Sequence, residues 1–140
     1  MSALLPSRPG KLFAAKVDLE CFYFYLALPA WLVPFFAMPA IKAADVSPEV
    51  AARFGADALV FPCFNRLPMG WSHSVFVAQA AHVHSLVSAG VLCLSDILGS
   101  DSDFRLDRLR WFIYIDDFCL IGPDPVVMRK LQDAYLEAVR

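Results

Sequence analysis

The chain has 140 residues, a formal net charge of −2 and a hydrophobic fraction of 59%. That length fits one domain at most by the usual size prior, and the apolar fraction is ample for a core. The near-neutral charge is not that of a free-standing nucleic-acid binder, and positive mean hydropathy leaves three options: a membrane location, an unusually large core, or surfaces covered by absent neighbours.

Residues 1–11 read as an N-terminal tail without a secretory apolar core, and the main domain is expected over 12–140. Leu12 to Asp18 is a strand pattern ending in a carboxylate. The aromatic cluster Phe22-Tyr23-Phe24-Tyr25 follows and is too dense for a solvent loop, so it is expected to pack beside whatever Asp18 binds. Cys21 to Ile41 carries no charge and is long enough to span a bilayer, but Pro29, Pro34 and Pro39 each remove a helix hydrogen bond and argue against a membrane helix.

Trp31 to Met38 and Leu59 to Phe64 are two further strand candidates, and Ser47 before Pro48 marks a short helix between them. Leu67-Pro68-Met69-Gly70-Trp71-Ser72 is a turn that delivers the chain into a long helix, with Phe76, Ala80, Val83 and Val87 as its apolar face and Gly90 as its stop. His82 and His84, two apart, point in different directions on that helix and cannot grip one metal; both are read as partly exposed or packing residues. The polar stretch from Ser95 to Asp107 carries Asp101, Asp103 and Asp107 in a loose calcium-loop pattern, but lacks the required Gly and closing Glu; it reads as a solvated connector.

Trp111 to Gly122 places Asp116 and Asp117 between two apolar runs, which reads as a buried β-hairpin with acid at its tip. Like charges there require a counter-charge, and carboxylate oxygens suit Mg²⁺ or Mn²⁺. Asp124 then caps a last helix that opens on Pro125 and buries Met128, Leu131, Tyr135 and Val139. Cys21, Cys63, Cys93 and Cys119 form no Cys-x-x-Cys pair and read as buried free thiols in a reducing, intracellular compartment, cytoplasmic or nuclear and not secreted. The element order predicts an α+β fold, an antiparallel sheet with helices on one face, which can bring Asp18 beside the hairpin.

Lys16-Val17-Asp18-Leu19 with Tyr23, then Leu67-Pro68-Met69-Gly70-Trp71, then Tyr114-Ile115-Asp116-Asp117, resemble motifs A, B and C of reverse transcriptases of the retrotransposon and retrovirus type, in order. The resemblance covers residues 12 to 122 and implies a ferredoxin-like polymerase palm, an RNA-directed DNA polymerase that transfers deoxynucleotides to a primer 3′-hydroxyl with two Mg²⁺ or Mn²⁺ ions. It implies Asp18 and Asp116 as principal metal ligands, Asp117 as an accessory acid, a backbone oxygen from Val17 or Leu19 as a further ligand, and Tyr114 and Ile115 as support for the catalytic hairpin. Tyr23 would lie beneath the incoming sugar and exclude a 2′-hydroxyl, while Pro68, Met69 and Gly70 would touch nucleotide and template; many retroviral members carry Gln in place of Met69.

The implied partners are a template with primer and a deoxynucleoside triphosphate. Fingers and thumb, with most of the family's basic residues, are largely missing and expected in flanking sequence, and the bare apolar stretch implies self-association. The alternatives are an inactive remnant or binding module with the same fold, an RNA-templated RNA polymerase, in which Gly usually stands where Ile115 does, and a membrane or hydrophobic scaffold built on Cys21 to Ile41.

Overall fold

The computed structural model describes residues 11–99 and 107–139. The tail expected over 1–11 therefore lies almost wholly outside the described residues, as do Asp101 and Asp103 of the acidic connector. The fold is α+β, and the chain divides into two compact units, one of residues up to Phe22 and from Val75 onward, the other Tyr23–Ser74.

The first unit is built on three antiparallel strands, β1 (Phe13–Asp18), β4 (Arg110–Tyr114) and β5 (Asp117–Gly122), in the order β1-β5-β4. Their register pairs Val17 with Phe118 and Ile113 with Phe118, and Ala15 with Leu120 and Trp111 with Leu120. Side chains alternate across a strand, so these residues share one face of the sheet, and Lys16, Asp18, Asp117, Cys119 and Tyr114 belong to the other. The inner face is buried under two helices, α4 (Ser74–Ser88) and α5 (Pro125–Ala138). Leu86, Leu92, Trp111, Ile113, Phe118, Leu120, Met128 and Tyr135 form the core cluster, and Val83, Val87, Leu131 and Val139 pack against it.

Helix α5 starts where Asp124 Oδ1 accepts from Val126 N at 2.8 Å and Val127 N at 3.3 Å, with Pro125 in the first turn. Its buried stripe is the expected one. The face of α4 is so only in part: Val83 and Val87 pack against the core, but Phe76 is 74% exposed and Ala80 is exposed, while Ala78, His82 and Leu86, four residues apart on one stripe, are buried. The apolar count misled here because the apolar residues of α4 are spread over several faces, and the buried stripe is one that carries a histidine.

In the second unit α1 (Phe22–Tyr25) ends, and the chain from Trp31 to Met38 forms a short 3₁₀ turn over Val33–Phe36, not the expected strand. Pro34 explains it: proline sits readily in a first helical turn and cannot donate to a ladder. Strands β2 (Ile41–Lys42) and β3 (Leu59–Val60) pair antiparallel, Ile41 with Val60, and Pro62 stops β3 well short of Phe64. Between them lie α2 (Ala43–Val46) and α3 (Pro48–Phe54), the latter capped by Ser47 Oγ accepting from Val50 N at 3.3 Å. Among the described residues no helix is long and apolar enough to cross a membrane. Tyr25, Trp31, Phe35 and Met38 are all exposed, Phe35 by 78%.

The cysteines also differ from expectation. All four are free, but Cys21, Cys63 and Cys93 are exposed and Cys119 is half-buried, because Cys119 stands on the outer face of β5 opposite Lys16.

Candidate functional site

The hairpin register differs from the sequence reading by one residue. Tyr114 pairs with Asp117, so the two-residue loop is Ile115-Asp116, and Asp117 is the first residue of β5 rather than half of the tip. The loop is closed by a residue in an unusual conformation: Ile115 has φ +58°, where a β-branched side chain is strained.

This register has a direct chemical consequence. Asp117 is also the partner of Asp18 on β1, and the backbone N–H of Leu19 donates to the Asp116 carbonyl at 3.1 Å. Two carboxylates thus face each other across neighbouring strands with a third in the adjoining turn, and one oxygen from each of Asp18, Asp116 and Asp117 lies within 4.8 Å of the others. Like charges directly opposite each other in a sheet repel.

Two features relieve the repulsion. The Lys16 ammonium stands 2.8 Å from Asp117 Oδ1. A hydrogen bond with Asp117, followed by burial and the charges of Asp116 and Asp117, pushes the Asp18 carboxyl above its ordinary range, whereas the bond from Lys16 holds Asp117 below it. Asp117 in turn pushes the Lys16 ammonium upward. The two acids and the Lys16 ammonium are therefore a coupled set, with Asp18 the weaker acid and Asp117 held ionised beside the ammonium.

The donor set suits a hard divalent cation. Three carboxylates offer only oxygen ligands, and the Lys16 ammonium balances one of their charges.

Beneath the turn lies a polar group that the sequence reading missed. Gln79 Nε2 donates to the Ile113 carbonyl at 2.8 Å, and Gln79 Oε1 accepts from the Ile115 N–H at 2.7 Å. His82 is 2% exposed, with Nδ1 2.7 Å from the Ile115 carbonyl and Nε2 2.9 Å from the Tyr135 hydroxyl. A carbonyl only accepts, so Nδ1 carries the proton and Nε2 accepts from Tyr135. Burial, against the pull of the Ile115 carbonyl and the Asp116 charge, holds His82 below the usual imidazole value and so neutral, as this tautomer requires. Phe22 closes over the ring with centroids 5.1 Å apart, and Tyr135 stacks on Phe118 at 4.1 Å. The available signal was the spacing of Gln79 and His82, three apart on a helix, polar on an otherwise apolar stripe.

The other sequence candidates divide between the two units. Leu19 belongs with the acids, and Tyr114, on the hairpin, is 65% exposed. Tyr23, Pro68, Met69 and Gly70 belong to the second unit. There Tyr23, Pro68 and Met69 line one apolar pocket of about 520 Å³ with Phe24, Phe36 and Phe64. Gly70, at φ +96°, turns the loop after Met69 in a conformation that side chains rarely adopt.

No family model matches the chain, and no curated protein shows significant similarity to it.

Proposed function

We propose that the chain carries the palm of an RNA-directed DNA polymerase of the retroelement type, with a ferredoxin-like core, which joins deoxynucleoside triphosphates to a primer 3′-hydroxyl. One observation carries this reading: Asp18 and Asp117 are register partners on adjacent strands with Asp116 in the turn beside them, three oxygen donors within 4.8 Å. Two-metal phosphoryl transfer needs carboxylates convergent on ions ~3.5–4 Å apart. The order of the three motif-like segments along the chain supports the same reading.

Asp18 and Asp116 would hold two Mg²⁺ ions, with Asp117 as the accessory acid. Bound there, Mg²⁺ would lower the pKa of the attacking hydroxyl and neutralise charge on the departing pyrophosphate. The residues of the chain suit this: the outer face of the sheet carries all three acids, and the Lys16 ammonium beside Asp117 balances part of their charge. The shared pocket of Tyr23, Pro68 and Met69 supports their assignment to nucleotide handling, Tyr23 against the sugar and Met69 as an adaptable apolar contact.

A second reading, a palm-like binding module without turnover, is favoured by the Lys16–Asp117 ion pair, which neutralises part of the cluster from within. Primer extension on an RNA template in Mg²⁺ separates the two. Asp18→Asn and Asp116→Asn are expected to abolish extension by at least ~10²–10³-fold, the scale of losing one preorganised electrostatic group, and Asp117→Asn is expected to cost less. The fold should survive, since removing one of two facing charges relieves repulsion. Wild-type extension by the Asp116 variant would end the polymerase reading; template binding with no extension by the wild-type protein would select the module.

A further inference from the structure

We propose that Gln79 and His82, backed by Tyr135, are positioning residues that hold the Ile115-Asp116 turn in a strained conformation and so set the affinity of the acid cluster for a divalent cation. The inference rests on the metal reading given above, and adds to it the part of the protein that aims the turn acid.

The strain comes first. Ile at φ +58° places a β-branched side chain in the left-handed region, which residues other than Gly, Asn and Asp rarely adopt. A two-residue hairpin loop would normally place Gly, Asn or Asp at such a position. The sequence has Asp116 one residue later, so the residue that could relax the turn is not where the turn needs it. Something other than local preference therefore selects this geometry.

That agent is the helix beneath. Both backbone polar groups of Ile115 are taken by α4 side chains, its N–H by Gln79 Oε1 at 2.7 Å and its carbonyl by His82 Nδ1 at 2.7 Å. Gln79 also ties down the Ile113 carbonyl through its other amide atom, which fixes the orientation of that amide. His82 is itself held by Tyr135, whose ring is clamped on Phe118 in the core. On the far side, Leu19 N–H holds the Asp116 carbonyl. The peptides on either side of the Asp116 side chain are thus pinned from α4 and from β1, and the direction in which its carboxylate leaves the turn follows from these bonds. An ordinary φ at Ile115 would rotate the next peptide and carry Asp116 away from Asp18 and Asp117.

The test uses the whole chain and Mn²⁺ alone, followed by electron paramagnetic resonance titration, with the Ile115 φ read from its amide to Hα coupling and Cα shift. Gln79→Met keeps length and removes both bonds. It is expected to move Ile115 out of the left-handed region and to weaken Mn²⁺ binding ~10–100-fold, the scale seen when a supporting partner of a metal ligand is lost. Gln79→Glu, which keeps the acceptor for the Ile115 N–H, is expected to fall between Gln79→Met and wild type, and serves if the Met variant does not fold. Ile115→Gly in the Gln79→Met background is expected to restore much of the affinity, because Gly adopts a positive φ unaided. A purely structural role would lower the melting temperature and leave the affinity of the folded protein and the rescue unaltered. Wild-type Mn²⁺ affinity in folded Gln79→Met overturns the inference. A wild-type protein that binds no Mn²⁺ overturns the metal reading and the clamp's link to it together; Ile115 couplings that still follow the expected order then locate the fault in the cluster and not in the turn.

Discussion

Removal of a single oxygen atom tests the buried polar chain. Tyr135 is fully buried and its hydroxyl donates to His82 Nε2 at 2.9 Å, while its ring lies parallel to Phe118 with centroids 4.1 Å apart. Tyr135→Phe keeps the ring, the stack and nearly all of the volume, so the cavity and dispersion contributions almost cancel. The hydrogen bond itself is worth about 0.5–1.5 kcal/mol net, and stranding its buried partner raises the cost to about 1–3 kcal/mol. His82 has no second acceptor role to turn to, because Nδ1 is engaged at Ile115. We therefore expect about 2 kcal/mol of destabilisation in urea unfolding followed by circular dichroism, and a fall in melting temperature of about 4–8 °C for a chain of this size. Tyr135→Ala, which also removes the stack, should cost about 3–5 kcal/mol, the range for truncating a buried aromatic side chain. A Tyr135→Phe variant within ~0.5 kcal/mol of wild type, the range of ordinary surface changes, would refute the satisfied His82–Tyr135 pair and the tautomer deduced from it.

Three further outcomes follow from the same structure. His82 is held below its ordinary value of 6.5, so its contribution to stability is complete above that pH and is lost as pH falls through the depressed folded value; urea midpoints should drop below about pH 6.5, and His82→Asn should flatten that slope. Tyr23→Ala or Tyr23→Val in an active polymerase should raise ribonucleotide incorporation relative to deoxynucleotide, read by competition on one template; an unchanged ratio would shift the gate to Phe22 or Phe24. Trp31→Ser with Phe35→Ser, which replace two of the most exposed aromatics of the second unit, should reduce self-association in sizing chromatography, and a wild-type protein that elutes as a clean monomer at high concentration would contradict this.

Legibility in the sequence followed how much of each signal was local. Strand β1, the hairpin pair β4–β5 and the cap and stripe of α5 were readable because alternation, a two-residue break and an Asp-Pro start are properties of a few neighbouring residues. The join between Asp18 and Asp117 was expected as a possibility of topology, but their pairing depends on a register that no single strand contains. The loop came out one residue early because Asp is the more usual turn residue, and the preference of Asp116 and Asp117 for a turn gave way to bonds from Gln79 and His82 to Ile115. His82 was read as a residue of no special role because composition cannot tell a packed histidine from one that orders a turn; the difference lies in partners 33 and 53 residues away. The free thiols were placed inside on the general habit of cysteine, and Cys119 escaped it because alternation gave the inner face of β5 to Phe118 and Leu120.

The alternation of β1 and β5 also bears on how this protein can change over time. One register places Val17, Phe118 and Leu120 inward and, by the same count, Lys16, Asp18 and Asp117 outward. A slip of one position would drive three charged groups into the core and the core residues into water, a cost no folded domain of ordinary stability can carry. Substitutions within the core that keep size and apolarity leave that count intact, whereas a single inserted or deleted residue within 13–18 or 117–122 destroys the core and the acid cluster together. Lineages of this chain that keep the fold should therefore accumulate point changes at some positions of these two strands but not length changes.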